Sequence, residues 1–438
     1  MLALSGLATT LWISEAIPMP ATALLIAIGV CVLGVAPAPE VFSVFADPLL
    51  FLFIGSFMLA EAMRVHGLDR RFAHGILRTP WVRAKASRMI FVYCCISFLI
   101  SMWVSNTATT AMLYPIGLSI LSIFDEDDRK SLAPLVLLMT SFGASIGGIS
   151  TPVGTPPNLI GIGFLRELAK ESIGFGKWMS MAFPISLVTF LFIYFAMRRF
   201  YSQKALDQPM PELSLPDRDP EQRRAQNNVA FAFGVTVFLW LLPGFVRLFG
   251  GNAKWMEARF SESVVAVIGA LLLFLLPVDW KRRKFTMTWS QAQNINWGII
   301  LLFGGGLVLG KFLFKSGVAK YLGDSLSAMY PFHSEFMYIL LFTILAVFIS
   351  EFTSNTASAN LILPICVAVC QSAGIHPLRP AIAATIASSL GFMLPVSTAP
   401  NAIVYGSGMI PIRTMIRYGV LLDLSGAIFV AVGVYWIT

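Results

Sequence analysis

Apolar runs long enough to cross a lipid bilayer follow one another along this chain from its first residues to its last. They fall at about 2–17, 20–36, 49–63, 132–165, 180–198, 229–249, 262–278, 296–314, 378–408 and 416–437. Inside hydrocarbon a backbone must satisfy its own hydrogen bonds, so continuous apolar runs of this length fold as a bundle of membrane helices. Composition agrees: 57 % of residues are hydrophobic and 12 % charged, whereas a soluble domain carries about 25 % charged residues. The expected fold class is an all-α integral membrane protein. A soluble enzyme, a disulfide-stapled secreted domain and a disordered chain are excluded.

The net charge of +8 does not point to nucleic acid, because the basic residues sit in short blocks between apolar runs, as in cytoplasmic loops. Cys31, Cys94, Cys95, Cys366 and Cys370 lie within apolar stretches without metal-ligand spacing, and read as packing residues. Met1 is followed by no basic segment and no small-residue cleavage site, so a signal peptide is not expected.

Two further apolar segments, 89–123 and 335–371, do not fit a single crossing. Each is roughly 35 residues, or about 50 Å as a straight helix, against a hydrocarbon core of about 30 Å. Each carries a polar tripeptide near its middle, Ser105-Asn106-Thr107 and Ser354-Asn355-Thr356. A re-entrant helical hairpin, turning at the tripeptide and leaving on the side it entered, accommodates both facts. Positive charge supports this. Arg64, Arg70, Arg71, Arg78, Arg83, Lys85 and Arg88 precede the first hairpin, and Arg129 and Lys130 follow it, so both flanks read as cytoplasmic. The same count puts Arg198, Arg199, Lys204, Arg223, Arg224, Lys281–Lys284, Arg413 and Arg417 inside. The second hairpin, flanked by His333 and His376, then opens from the outside, and Lys311, Lys315 and Lys320 fall externally against the charge rule. Residues 199–228 read as a cytoplasmic linker between halves 1–198 and 229–438.

The halves repeat each other. Ser101-Met-Trp-Val-Ser105-Asn106-Thr107-Ala108 matches Ser350-Glu-Phe-Thr-Ser354-Asn355-Thr356-Ala357, and Pro152-Val-Gly-Thr-Pro-Pro-Asn158 matches Pro395-Val-Ser-Thr-Ala-Pro-Asn401. The second motif of each pair interrupts a long helix, at 132–165 and 378–408. With one hairpin entering from each side, the repeat is expected to be inverted, an arrangement typical of secondary transporters.

A break in a membrane helix exposes carbonyls and amides, tolerable only where they line a cavity or bind a ligand. Carbonyls and hydroxyls suit a hard cation such as Na⁺; the amides at the start of the next half-helix suit an anion. Ser101 and Ser105, like Ser350 and Ser354, are spaced i,i+4, which predicts each pair on one face of a hairpin arm. With a carbonyl from Gly154 or Ser397, each pair would make one of two equivalent cation sites. A lone Ser-Asn-Thr in a membrane helix is more often a packing feature. Duplication in register with a second duplicated motif points to function instead.

These paired tripeptides, with the Gly154-Thr-Pro-Pro-Asn158 and Pro395-Val-Ser-Thr-Ala-Pro-Asn401 loops, resemble the divalent anion/sodium symporter family, from about Ser14-Glu15-Ala16-Ile17-Pro18 to the C-terminus. The resemblance implies Na⁺-coupled uptake of dicarboxylates by a homodimer in which a transport domain moves past a scaffold like an elevator. Carried over by motif, Asn106, Thr107, Asn355 and Thr356 hold the substrate carboxylates, with Thr398 close by. One sodium lies among Ser101, Ser105, Asn106 and the Gly154 carbonyl. The other lies among Ser350, Asn355 and the Thr353 and Ser397 carbonyls. The chain departs from the family in two places: a further helix usually precedes the Ser-Glu-Ala-Ile-Pro segment, and Ala399 stands in the second loop where the first has Pro156.

Neither tripeptide motif contains Arg or Lys, so a dianion there must be balanced by helix dipoles, neutral donors and co-bound cations. Cations are therefore expected to bind first. Of the acids in apolar segments, Glu15, Glu61, Glu351 and Asp423, the one nearest the motifs is Glu351, expected to pair with a basic or amide group. The four histidines, His66, His74, His333 and His376, read as loop residues. An intramembrane serine enzyme would need a base beside Ser105 or Ser354, and none is present. Two opposed, closed-ended hairpins do not make a channel. No phosphate-binding loop for ATP exists.

The expected function is sodium-coupled symport of C4-dicarboxylates such as succinate, malate or fumarate. Sodium-independent exchange, or transport of citrate or sulfate, are the alternatives. Membrane lipid and a second copy are the other expected partners. Short loops and the absence of Asn-x-Ser/Thr sequons fit a bacterial inner, or plasma, membrane.

Overall fold

The computed structural model describes residues 1–199, 206–211, 220–329 (327–329 by backbone only) and 334–438. Lys204, His333 and the 212–216 part of the expected linker lie outside the described residues. The described chain is helical apart from a small antiparallel ribbon, Pro277–Asp279 with Lys284–Phe285. Among the described residues, seven helices are long and apolar enough to cross a bilayer.

The first half begins with α1 (Leu2–Ser14), α2 (Met19–Val32) and α3 (Pro48–His66). Asp47 caps α3, accepting the Leu49 N–H at 2.8 Å, and Gly67 stops it in the left-handed conformation that glycine adopts without steric cost. A short helix, α4 (Leu68–Leu77), leads to the first hairpin, α5 (Ala86–Ser101) and α6 (Asn106–Leu121). The expected single run 89–123 is thus two helices joined by Met102–Ser105. The run 132–165 is α7 (Glu126–Ile149) and α8 (Pro156–Leu168), broken at 150–155, and α9 (Phe175–Arg198) follows.

The second half has α10 (Pro220–Leu248), α11 (Glu262–Leu275), α12 (Trp297–Lys315) and α13 (Val318–Met329), then the second hairpin, α14 (Glu335–Phe352) and α15 (Asn355–Ser372). Its interrupted helix is α16 (Leu378–Ala387) and α17 (Ala399–Tyr405), with a wider break than the first, and α18 (Ile412–Ile437) ends the fold. The apolar-run reading missed α4 and α13, because both are short and carry charged or polar residues along one side.

Packing explains how the tips meet. From Leu132 to Ile149 every residue of α7 is buried, and α5, α6 and α9 pack around it. In the second half α14, α15 and α18 pack around α16, buried from Pro380 to Ala387. The half-helices beyond the breaks cross over: α8 packs on α15 and α16, while α17 packs on α6 and α7. Each half therefore closes the other's hairpin. A second layer is formed by α3 with α10 and α11, and by α2 with α1 and α12. Lys315, expected on the external side, is ion-paired with Glu40 at 2.8 Å.

Candidate functional site

Both tripeptides sit where one helix ends and the next begins. Ser105 is the N-cap of α6, its hydroxyl accepting the Ala108 N–H at 3.4 Å; Ser354 caps α15 in the same way, accepting from Ala357 at 3.2 Å. This corrects the expectation that Ser101/Ser105 and Ser350/Ser354 share a face of one helical arm. Each i,i+4 pair straddles the tip, because the N-cap serine must leave helical geometry to capture the amide of the next helix. Ser101 and Ser350 are fully buried beneath the tips and donate to Asn106 Oδ1 and Asn355 Oδ1, each at 2.8 Å. The Ser350 hydroxyl also lies 2.7 Å from the Ser388 carbonyl.

The breaks meet these tips. In the first, the Thr151 hydroxyl donates to the Met102 carbonyl at 2.5 Å and accepts the Gly154 N–H at 3.1 Å. A Cβ on Gly154 would stand 2.5 Å from the Gly148 carbonyl oxygen and 2.9 Å from that of Met102; one on Gly148 would stand 2.3 Å from Asn106 Oδ1. Only glycine lets tip, break and α7 converge so closely. The cradle these residues form offers neutral oxygens, the donor set a hard monovalent cation takes.

Two asparagines, recognised in the sequence only as motif letters, hold the breaks open. Asn158 Nδ2 donates towards the carbonyls of Gly148, Ile149 and Thr151 at 2.9, 3.2 and 2.7 Å. Asn401 Nδ2 donates towards those of Gly391 and Leu394 at 3.0 and 3.1 Å, and its Oδ1 accepts from Ser141 of α7 at 2.6 Å. They replace the intrahelical partners that the unwound turns have lost. Thr398 caps α17, accepting the Asn401 N–H at 3.2 Å.

A cavity of about 860 Å³ brings the sequence-predicted residues together: Ser105, Asn106, Thr107, Gly154, Thr353, Ser354, Asn355, Thr356, Ser397 and Thr398 all line it. Ser101 and Ser350 lie behind that lining. The first amides of α6 and α15 have no intrahelical partner, and with the α8 N-terminus they give the cavity a positive dipole field. The opposite wall comes from the end of α1, from α3 and from the start of α12, and its charged residues are Glu15, Glu61 and Arg64. Arg64 is held by Glu61 in a two-pronged ion pair, Nε–Oε2 2.8 Å and Nη2–Oε1 2.5 Å. Among the described residues, the cavity thus holds no unpaired basic side chain. Glu351, expected near a basic or amide group, accepts backbone amides: Phe392 N–H at 2.6 Å and Met393 N–H at 2.9 Å.

Comparison with known proteins agrees with this architecture. The chain is 33 % identical over 441 residues to an uncharacterized transporter of Haemophilus influenzae, covering 98 % of this chain and 90 % of the relative. It is 32 % identical over 452 residues to the sodium-dependent dicarboxylate transporter SdcS of Staphylococcus saprophyticus, covering 100 % of this chain and 85 % of the relative. The fold is similar to that of the Alcanivorax borkumensis YdaH transporter (TM-score 0.61, 14 % identity, 91 % of this chain and 87 % of that one). It is also similar to that of Neisseria gonorrhoeae MtrF (TM-score 0.57, 13 % identity, 93 % and 84 %). The protein is a multi-pass membrane transporter, not an enzyme. The family model for the sodium:sulfate symporter transmembrane region matches residues 1–438, and the chain belongs to that family of divalent anion/sodium symporters.

Proposed function

We propose that this protein is a sodium-coupled symporter of C4-dicarboxylates, succinate, malate or fumarate, working as a homodimer by an elevator mechanism. The observation that carries the reading is the pair of Ser-Asn-Thr tips lining one cavity whose only basic side chain among the described residues is already neutralised by Glu61. A dianion there meets two sets of amide, hydroxyl and helix-dipole donors, one for each carboxylate: Asn106 and Thr107 on one tip, Asn355 and Thr356 on the other, with Thr398 beside them. These donors leave net negative charge in a site of low dielectric. Sodium ions supply the rest. One is held by Ser101, Ser105, Asn106 and the Gly154 carbonyl, the other by Ser350, Asn355 and the Thr353 and Ser397 carbonyls.

Cation binding thereby completes the anion site, which couples the two substrates without any covalent step. The crossed packing of α8 and α17 supports treating both hairpins and both interrupted helices as one moving unit, related as an inverted repeat. The layer of α1–α3 and α10–α12 is then the scaffold. The cavity reaches the ends of α1 and α3 beside the basic flank of the first hairpin, which suits an inward-facing state. The relatives named sodium-dependent dicarboxylate transporters support the substrate class.

The test is labelled succinate uptake into proteoliposomes under an inward Na⁺ gradient, with K⁺ or choline replacing Na⁺ in parallel, and with or without internal succinate. Symport predicts uptake that needs Na⁺ and no internal substrate. Uptake that ignores Na⁺ and needs internal succinate would establish exchange. No uptake in either arm would move the substrate to citrate or sulfate.

A further inference from the structure

The link from α3 to the first hairpin carries more charge and more exposed aromatic surface than joining two helices requires. Between Leu68 and Arg88 there are six Arg or Lys residues, Arg70, Arg71, Arg78, Arg83, Lys85 and Arg88, against one carboxylate, Asp69. Asp69 is turned inward: its side chain is buried and its Oδ1 accepts the Arg70 N–H at 2.7 Å. At 3.6 residues per turn, Asp69, Ala73 and Leu77 form the buried stripe of α4, which packs on α5. Leu68, Phe72 and Ile76 run along one flank of that stripe, and Arg70, His74 and Arg78 along the other. Phe72 is 48 % exposed, and Trp81, in the turn after α4, is 61 % exposed. The Arg88 guanidinium lies over the Trp81 ring, 5.1 Å from its centroid, and donates to the Trp81 carbonyl at 3.3 Å.

This surface stands at the depth of the lipid headgroups. Arg71 of α4 donates to Asn227 of α10 at 2.8 Å, and Phe231, four residues further along the same face of α10, is 56 % exposed on a membrane-crossing helix. Four residues of helix rise about 6 Å, so α4 lies along the border between hydrocarbon and water. A helix at that border rests its apolar flank on the acyl chains and sets its basic flank among the headgroups, and Trp is favoured at the same depth. The turn is pinned from the protein side. The Met210 N–H donates to the Arg83 carbonyl at 2.9 Å, the Ala86 N–H to the Gln208 carbonyl at 2.8 Å, and Lys85 is ion-paired with Asp207 at 2.8 Å. Among the described residues, no carboxylate is ion-paired with Arg70 or Arg88.

The second half contains the same link without the charge. Gly317, like Gly67, is left-handed and turns the end of a membrane helix, α12, into a short helix, α13, that precedes the second hairpin. From Val318 to Ser334 the sequence has one Lys, Lys320, and one Asp, Asp324, with Tyr321 exposed on α13. A hairpin link as such therefore needs no basic cluster. Positive charge alone serves to orient a chain in the membrane. Arginines interleaved with exposed Phe72 and Trp81 add the apolar contact that orientation does not use and lipid recognition does.

We propose that α4 and the turn after it are a docking surface for anionic phospholipid of the cytoplasmic leaflet. Arg70 and Arg88 engage the headgroup phosphates, and Phe72 and Trp81 seat at the top of the acyl chains. Each arginine so placed contributes about 5-fold in association, an effect that falls with added salt. The bound lipid fixes the point from which the first hairpin hangs. The inference depends neither on which anion is carried nor on its coupling to sodium.

The experiment reads Trp81 in the whole protein, reconstituted with brominated phosphatidylglycerol or brominated phosphatidylcholine as the quenching lipid. Its signal is the fluorescence of the wild type less that of Trp81→Phe. Phosphatidylglycerol should half-quench Trp81 at a mole fraction about 25-fold lower than phosphatidylcholine, and high salt should narrow the gap. Arg70→Gln should cut the preference about 5-fold, and Arg70→Gln combined with Arg88→Gln should abolish it. The single variant carries the test should the double one fail to fold. Tyr321→Trp on α13, read as the gain over wild type, should be quenched equally by the two lipids. Equal quenching of Trp81 by both lipids would overturn the proposal and leave an ordinary bilayer contact. Quenching by neither would also overturn it, and would assign the face to covering protein such as a second copy of this chain. A preference kept by both arginine variants would overturn it as well.

Discussion

The hydroxyl of Ser101 donates a 2.8 Å hydrogen bond to Oδ1 of Asn106, closing the tip of the first hairpin from beneath. The bond fixes the rotamer of an asparagine that itself lines the cavity, so the buried serine positions a half-buried donor it does not replace. Ser101→Ala should leave a folded protein whose half-saturating Na⁺ concentration for uptake is raised about 3- to 10-fold, the worth of one hydrogen bond. Uptake measured across a Na⁺ series checks this. An unchanged Na⁺ dependence would place Asn106 outside the cation site.

Asn158 and Asn401 should matter to stability before they matter to transport. Replacing Asn158 with Ala strands the buried carbonyls of Gly148, Ile149 and Thr151. The expected cost is about 2–4 kcal/mol, seen as a lowered thermal midpoint of the purified protein. Asn401→Ala should cost a similar amount and in addition loosen α17 from α7, because Ser141 loses its acceptor. Midpoints within a degree of wild type would mean that water replaces the amides in both breaks.

These residues also mark how far the sequence could be read. The membrane runs, both hairpins and both breaks were legible because hydropathy and polar interruptions are local signals. Which cavity they share was legible only through their duplication. The position of the turn was not: nothing in the spacing of Ser101 and Ser105 distinguishes two hydroxyls on one helix from a helix end followed by an N-cap. Nor could the crossing of α8 and α17 be seen, since it depends on close packing between distant segments, such as Gly161 against Thr385. Glu351 stood out as a buried acid, but its partners are backbone amides and a second acid on α18, which no local pattern links to it.

Gly154 should be intolerant of a methyl group. Its Cβ would fall 2.5 Å from the Gly148 carbonyl oxygen, so Gly154→Ala must displace the loop whose carbonyl is proposed for the first sodium. Uptake should fall at least about tenfold, because displacement of ligand atoms by even 1 Å is poorly tolerated in a preorganised site. Gly176→Ala, where a Cβ meets nothing within 4 Å, serves as the control and should transport as the wild type does. Equal activity of the two variants would show that the Gly154 carbonyl is not used.

Arg64 and Glu61 offer a test of how the dianion leaves. The guanidinium is the one basic group on the cavity wall among the described residues and is more than half exposed, while Glu61, which holds it, is only 10 % exposed. Glu61→Gln keeps the side chain's shape but removes the charge that neutralises Arg64. A dianion approaching from that end then meets an unpaired cation, and its affinity there should rise about 3- to 10-fold, an effect that weakens with added salt. Release into the same compartment becomes slower, so maximal uptake should fall although binding is tighter. Arg64→Gln leaves the Glu61 carboxylate alone and should weaken binding from the same side. Vesicles of defined orientation distinguish these effects, with succinate inhibition measured from each face. Both variants should leave inhibition from the opposite face unchanged, because there the substrate reaches the two tips without passing α3. Equal shifts from both faces would assign the pair to holding α3 in place rather than to the path of the substrate.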